Sequence, residues 1–211
     1  MTNYSEEYWQ KKIKKYIAED WSSKPSPFAQ LVESYITGKR VLELGTGAGQ
    51  DGLWFKSKGF DVVLSDGTDD AFGYIKDLGG SDTQLVKFDI TKKFPFEDGS
   101  FDTVYAQLVI HYFNDETTKH IISEIQRVLG SGGIVALMVN STKDPEYDEA
   151  LVNKEGLIEV NGITKRFFSK ETFASFLGNF EEIIFDEKGR TPKDDAVSNS
   201  GMVQFIGRLR S

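Results

Sequence analysis

The chain contains no cysteine, and only two of its 211 residues are histidine. That excludes disulfides, thiolate nucleophiles and cysteine metal centres, and it leaves little imidazole for zinc, so no metal is expected. No apolar run approaches the roughly 18 residues that would suggest a membrane-spanning helix. Basic residues are fewer than acidic ones, 25 against 33, for a net charge of −8. This balance disfavours a broad nucleic-acid-binding face, although it is compatible with one local basic patch. The opening MTNYSEEYWQKK is polar and acidic and reads as neither a secretory signal nor a transit peptide. A cytoplasmic protein is the expectation. What remains is ordinary globular material, 39% hydrophobic and 27% charged, long enough for one domain with a sheet-centred core and a small appendage.

Residues 1–38 read as two helices. Trp9, Ile13, Tyr16 and Ile17 recur at helical spacing, with Lys11, Lys12, Lys14 and Lys15 mostly on the other face. The second helix opens on Ser26-Pro27, a cap followed by a first-turn proline. It carries Phe28, Leu31, Val32, Tyr35 and Ile36 on one stripe and stops before Gly38. Strand-like runs then alternate with helical patterns: 41–44, 61–65, 84–89, 101–108 and 134–140. The clearest helix holds Ile121, Ile122, Ile125, Val128 and Leu129, with Gly130 as its expected stop. Such alternation predicts crossover units and a parallel sheet. After a last helix over 169–177, two apolar runs, 180–185 and 202–209, are joined by a polar stretch and predict an antiparallel edge. The expected fold is α/β, a doubly wound, seven-stranded, mostly parallel sheet with an antiparallel last strand. Its domains are an N-terminal helical lid over 1–38 and a ligand-binding domain over 39–211. Within the latter, LIEVNGITKRFF (157–168) has Asn161-Gly162 between two β-prone runs and predicts an inserted hairpin, either decorative or a wall of the substrate site.

The chemistry gathers around VLELGTGAGQDGLWF, residues 41–55. A triphosphate loop needs GxxxxGK[ST], and no lysine stands where that pattern requires one. A dinucleotide turn needs glycine three places after Gly47, where Gln50 stands instead. The strand also ends in an acid, Glu43, which would repel a pyrophosphate but suits an ammonium or sulfonium centre. Asp66 ends the second strand, at the spacing of an acid that accepts from ribose hydroxyls; the competing reading is a helix cap. Asp89 ends the third strand at the same sheet edge, placed for an adenine amino group, with Ile90 covering the base.

Taken in order, Glu43-Leu-Gly-Thr-Gly-Ala-Gly49, Asp66, Asp89, FPFEDGSFDTVYAQLVIHYF and SEIQRVLGSGGIVAL resemble the class I S-adenosylmethionine-dependent methyltransferases over residues 40 to 140. More narrowly, YWQ (8–10), DWSSKPSPFAQ (20–30) and GQDGLWF resemble small-molecule enzymes of the tellurite-resistance and thiopurine type, whose N-terminal segment covers the cofactor. Two departures are Ser131, where the family has proline, and Gly67 and Gly73 in the helix after Asp66. The resemblance implies S-adenosyl-L-methionine as cofactor and methyl transfer to a heteroatom of a small-molecule acceptor. It implies a cofactor site of Glu43, Gly45, Thr46, Gly47, Gln50, Asp51, Asp66, Gly67, Asp89, Ile90 and Gln107, with Trp21 from the lid. His111 and Tyr112, just past the fourth strand, are the catalytic candidates. A neutral imidazole near its ordinary pKa could serve as general base, or His111 could pack beneath the acceptor loop and only shape it. Lys165 and Arg166 on the hairpin could meet an anionic acceptor group or remain solvated. The expected partner is a small-molecule acceptor, with neither membrane nor nucleic acid, and the protein is a monomer or homodimer. A nicotinamide oxidoreductase, an RNA methyltransferase and a non-catalytic S-adenosylmethionine-binding protein are the competing readings. The missing glycine and Glu43 count against the first, and the acidic balance against the second.

Overall fold

The structure, a computed structural model, describes residues 6–160, 162–191 and 201–211. The helix α1, Glu6–Ile17, and a short 3-10 turn, Asp20–Ser23, precede α2, Pro27–Glu33. The alternating core follows: β1 Arg40–Leu44, α3 Gln50–Ser57, β2 Asp61–Asp66, α4 Phe72–Gly79, β3 Gln84–Lys87, β4 Phe101–Gln107, α5 Asp115–Val128 and β5 Leu129–Val139. Next come the hairpin β6 Ile158–Val160 and β7 Ile163–Lys165, the short α6 Lys170–Ala174, and the strands β8 Phe180–Gly189 and β9 Met202–Leu209. Seven strands form one sheet in the order β3-β2-β1-β4-β5-β9-β8. The first five are parallel, and β9 runs antiparallel to both of its neighbours. No helix among the described residues is long and apolar enough to cross a membrane.

Side chains of period two divide between two cores. Leu42, Leu44, Val104, Ala106, Val135 and Leu137 face Ile121, Ile125 and Val128 of α5 and Phe173 of α6. Val41, Leu64, Tyr105, Ala136 and Met138 face Phe28 and Val32 of α2, Phe55 of α3, Ile75 of α4 and Ile13 of α1. Both faces are therefore covered, as a parallel sheet requires. The strand order reverses at β1, whose two parallel neighbours are β2 and β4. Connections leaving the carboxyl ends of β1 and β4 diverge to opposite faces there, which opens a crevice.

Several placements differ from expectation. Gly130 does not stop α5: the helix ends at Val128, and Leu129 already has extended backbone and pairs with Phe101. The expected edge pair does run antiparallel, but β9 lies inside the sheet between β5 and β8, leaving β8 at the edge. The burial explains the placement, since Met202 to Gly207 are all buried while β8 exposes Glu181 and Glu182. The strand expected to reach Asp89 ends at Lys87, so Asp89 stands in the loop beyond it. The Ser26 cap and first-turn Pro27 of α2 are as expected, with Ser26 Oγ accepting from the Ala29 amide at 3.0 Å. The helix itself ends early, at Glu33. The hairpin forms as its Asn-Gly signal predicts, with Ile163 pairing Val160; Asn161, and residues 192–200 of the polar stretch before β9, lie outside the described residues.

Candidate functional site

A cavity of about 920 Å³ opens at the carboxyl ends of β1, β2 and β4. Every cofactor and catalytic candidate lines it. Glu43, Gly45, Thr46, Gly47, Gln50 and Asp51 come from the first turn, and Asp66 and Gly67 from the second. Asp89 and Ile90 follow β3, Gln107 ends β4, His111 and Tyr112 lie in the 3-10 turn after it, and Trp21 comes from the N-terminal segment. Lys165 joins them, whereas Arg166 points elsewhere. Its guanidinium pairs with Asp115 and lies 4.9 Å from the Phe168 ring centre.

The turn after β1 is built for close packing on one side and openness on the other. A side chain at Gly52, in α3, would meet Glu43 Oε2 at 2.3 Å and Leu64 at 2.8 Å, so glycine lets α3 press onto β1 and β2. Gly47 has a left-handed φ of +53°, and a Cβ there would meet nothing within 4 Å. The space where a side chain would stand is room that a ligand can occupy.

The floor of this half is acidic. Glu43 is buried, accepting from Thr46 Oγ1 at 2.6 Å, and burial first and then the neighbouring Asp51 push its pKa well up. Burial also raises Asp51. Asp51 accepts from the Ser26 amide at 2.7 Å, from Ser26 Oγ at 2.8 Å and from the Tyr105 hydroxyl at 2.6 Å. Gln107 Oε1 lies 2.7 Å and 2.5 Å from the same two hydroxyls, so each shares its one proton between Asp51 and Gln107. Both oxygens of Asp51 are thus engaged, and its visible work is to fasten the start of α2 to the turn. Sequence reasoning missed this network: Ser26 looked like a helix cap only, and Tyr105 like a strand residue. A hydroxyl-bearing tyrosine among apolar neighbours in a central strand was the signal.

Asp66 Oδ2 accepts from the Gly47 amide at 3.0 Å and Oδ1 from the Thr68 amide at 3.1 Å, holding the two turns together. Burial raises its pKa. Asp89 is exposed and uses Oδ1 for Thr91 N and Oγ1, at 2.9 and 2.8 Å. Among the described residues, Lys56 is committed to the Gly79 carbonyl, Asp82 and Thr83, and Lys87 on the cavity wall pairs with Asp69.

The opposite half is built by elements far apart in sequence. α1 lies over the cavity with Ile13 buried beneath it and the Trp9 ring edge-on to Tyr112 at 5.0 Å; Trp21 meets Tyr16 likewise at 5.2 Å. His111 is 2% exposed, and its Nδ1 has no hydrogen-bond partner. Burial, with the nearby charges of Lys165 and Lys12, pushes its pKa down to about 3. The expectation of an imidazole near its ordinary value is therefore corrected: His111 is neutral near pH 7 and a weak base. Lys12, Asn140, Asp144 and Glu146, none singled out from sequence, complete this wall. Leu108, between the halves, has φ +55°, a strained conformation that turns the chain sharply after β4.

Residues 42–137 match the family described as "Methyltransferase domain". An uncharacterized methyltransferase of Synechocystis sp. is 33% identical over 101 residues, covering 48% of this chain and 47% of that protein. The match thus spans about half the length of that relative. Among solved structures, Burkholderia thailandensis 1,6-didemethyltoxoflavin-N1-methyltransferase, with bound 1,6-didemethyltoxoflavin and S-adenosylhomocysteine, aligns with a TM-score of 0.74. It is 15% identical, and the alignment covers 97% of this chain and 85% of that one. TehB from Haemophilus influenzae aligns with a TM-score of 0.66 at 17% identity, over 86% of this chain and 61% of that one. Sheet order, glycine turn and strand-end acids define a Rossmann-like methyltransferase fold. Residues 42–137 match the methyltransferase domain, and the fold of the chain is similar to that of solved S-adenosylmethionine-dependent methyltransferases.

Proposed function

We propose that the protein transfers a methyl group from S-adenosyl-L-methionine to a heteroatom of a small-molecule acceptor. The observation that carries this is one cavity whose glycine turn lies among the carboxylates Glu43, Asp51 and Asp66, with Lys56 turned away to Gly79, Asp82 and Thr83. The residues fit the cofactor. Gly47 leaves open space beside the turn, and Glu43 is a buried carboxyl whose charged form burial disfavours and a cationic group would favour. In this reading Glu43 and the turn receive the methionine part, and Asp66 the ribose. Asp89 accepts from the adenine amino group with its remaining oxygen, while Ile90 covers the ring. Asp51 and Gln107 act one step back, through Ser26 and Tyr105, by fixing the turn and α2. Trp21 and Trp9, carried by the lid over 1–38, close the mouth.

When bound, the cofactor supplies an electrophilic methyl group. The chain's own contribution is alignment and exclusion of water, and alignment can supply on the order of 7–11 kcal/mol in ideal cases. His111 and Tyr112 shape the acceptor side. A histidine pushed down to about 3 positions and hydrogen-bonds; it does not collect protons at neutral pH.

Calorimetry with S-adenosylhomocysteine and NAD, followed by acceptor screening with a labelled methyl donor, tests the proposal. Micromolar binding of S-adenosylhomocysteine, no binding of NAD and turnover with a small acceptor are expected. NAD binding without a response to S-adenosylhomocysteine would end the reading, and cofactor binding without turnover on any acceptor would reduce the protein to a sensor or subunit.

A further inference from the structure

The cavity is acidic at the glycine turn, whereas the opposite wall mixes two lysines with the carboxylates Asp144 and Glu146, a composition that burial penalises. Lys12 on α1 and Lys165 on β7 both line it. The Lys165 side chain is only 14% exposed and its Nζ bonds Glu146 Oε2 at 2.6 Å. Lys12 Nζ donates to the Tyr8 hydroxyl at 2.9 Å and sits 5.9 Å from the Tyr16 ring centre. Neither contact gives Lys12 a counter-charge of its own. Glu146 is the carboxylate near both ammonium groups, and Asp144 beside it accepts from the Glu146 amide at 2.8 Å. Burial first, and then the charge of Lys165, pushes both Lys12 and His111 down, so the ammonium groups feel one another.

Glu146 offsets the charge of Lys165 directly and acts on Lys12 through space, so one carboxylate serves two half-buried ammonium groups and a further anion between them is favourable. His111 Nδ1, buried and without partner on the same wall, can donate as a neutral imidazole and adds no third charge. Resting on the methyl-transfer reading above, we infer that the acceptor is an anionic small molecule whose carboxylate or phosphate group is held between Lys12 and Lys165. Because Lys12 rides on α1, this contact also draws the N-terminal helix onto the acceptor, so recognition and closure are one event.

The test uses the full chain with S-adenosylhomocysteine present and four probes of similar size: benzoate, phenyl phosphate, benzyl alcohol and benzylamine. At least one anionic probe should bind about tenfold or more tightly than the alcohol, and the two anions distinguish carboxylate from phosphate. Lys165→Met and Lys12→Met should each weaken it about tenfold, with Lys165→Arg restoring most of the affinity. Thermal melts and S-adenosylhomocysteine affinity confirm that the variants are intact. The inference is overturned if benzylamine binds as well as the anions, if neither anion binds, or if the double methionine variant binds benzoate or phenyl phosphate as the parent does. Failure of S-adenosylhomocysteine to bind would instead sink the cofactor reading. The anion arm, repeated on the ligand-free protein, would still decide this one.

Discussion

The two halves of the cavity are made by different means. The cofactor half is a run of neighbouring residues, Glu43 to Asp51, with one acid at the end of β2 and one just beyond β3. The acceptor half is assembled from α1, the turn after β4, the loop holding Asp144 and Glu146, and the hairpin. The first is set by sheet topology, which brings strand ends together in any doubly wound fold. The second depends on an N-terminal helix docking over the mouth. It follows that damage to the acceptor half should act on turnover, and damage to the cofactor half on affinity.

Removing residues 1–24 is the strongest way to break that division. The deletion takes Trp9, Lys12, Ile13 and Trp21 from the cavity but leaves α2 fastened by Ser26 to Asp51. A folded protein with somewhat weaker S-adenosylhomocysteine binding is expected, with turnover down by roughly 100-fold or more, the scale of lost alignment. Hydrogen exchange with and without S-adenosylhomocysteine adds a second readout, since residues 8–21 should gain protection on binding. A truncated protein of full activity would make the segment a packed appendage.

Asp66→Ala comes next. It should weaken S-adenosylhomocysteine binding by about 1.5–3 kcal/mol, the scale for hydrogen bonds to a charged group. Asp66 also accepts from Gly47 and Thr68 amides, so some loss of melting temperature should accompany it. If the variant melts much earlier yet binds normally, the acid ties the turns and does not hold ribose.

A third experiment addresses His111. Its pKa falls from an ordinary 6.5 to about 3 on folding. Between those values the unfolded chain takes up a proton that the folded protein refuses, so stability that is complete above pH 6.5 declines as the pH falls toward 3. The decline cannot exceed about 1.4 kcal/mol per pH unit. Glu43 and Asp51, raised by burial, work in the opposite sense: their contribution is full at acid pH and is lost as pH rises through their shifted values. Comparing melts of the parent and His111→Phe across pH isolates the histidine. The variant should gain relative to the parent below pH 6.5, and the parent's turnover should show no inflection near that value. A flat difference together with a turnover inflection near 6.5 would return His111 to the role of general base.

The same contrast explains what was legible in the sequence. The glycine turn, Asp66 and the β-α alternation are local signals and stand where they were expected, while Asp89 lines the cavity from the loop beyond β3. The hairpin was legible because Asn161-Gly162 is a local signal too. The position of β9 inside the sheet was not, because insertion between β5 and β8 is a long-range choice that no local pattern encodes. Lys12 was read as one lysine on the polar face of an amphipathic helix, and nothing in α1 tells it apart from Lys11 or Lys15. It is distinguished only by what α1 covers. Ser26 and Tyr105 were hidden similarly, since their partners Asp51 and Gln107 belong to other elements.

The smallest expected effect concerns Asp89, and it sharpens the comparison from the cofactor side. This acid is exposed, with Oδ1 occupied by Thr91, so only the other oxygen is available and water competes for it. A hydrogen bond made in such surroundings contributes little, about 0.5–1.5 kcal/mol. Asp89→Ala should therefore weaken S-adenosylhomocysteine binding by no more than about tenfold. Loss of affinity alone would not identify the partner, because the substitution also frees the Thr91 turn. Repeating the titration with S-inosylhomocysteine, which lacks the adenine amino group, removes that ambiguity. If Asp89 accepts from the amino group, the parent should prefer the adenine compound and the variant should lose most of that preference. Equal losses for both compounds would mean that Asp89 shapes the loop and that the base is read by the backbone instead.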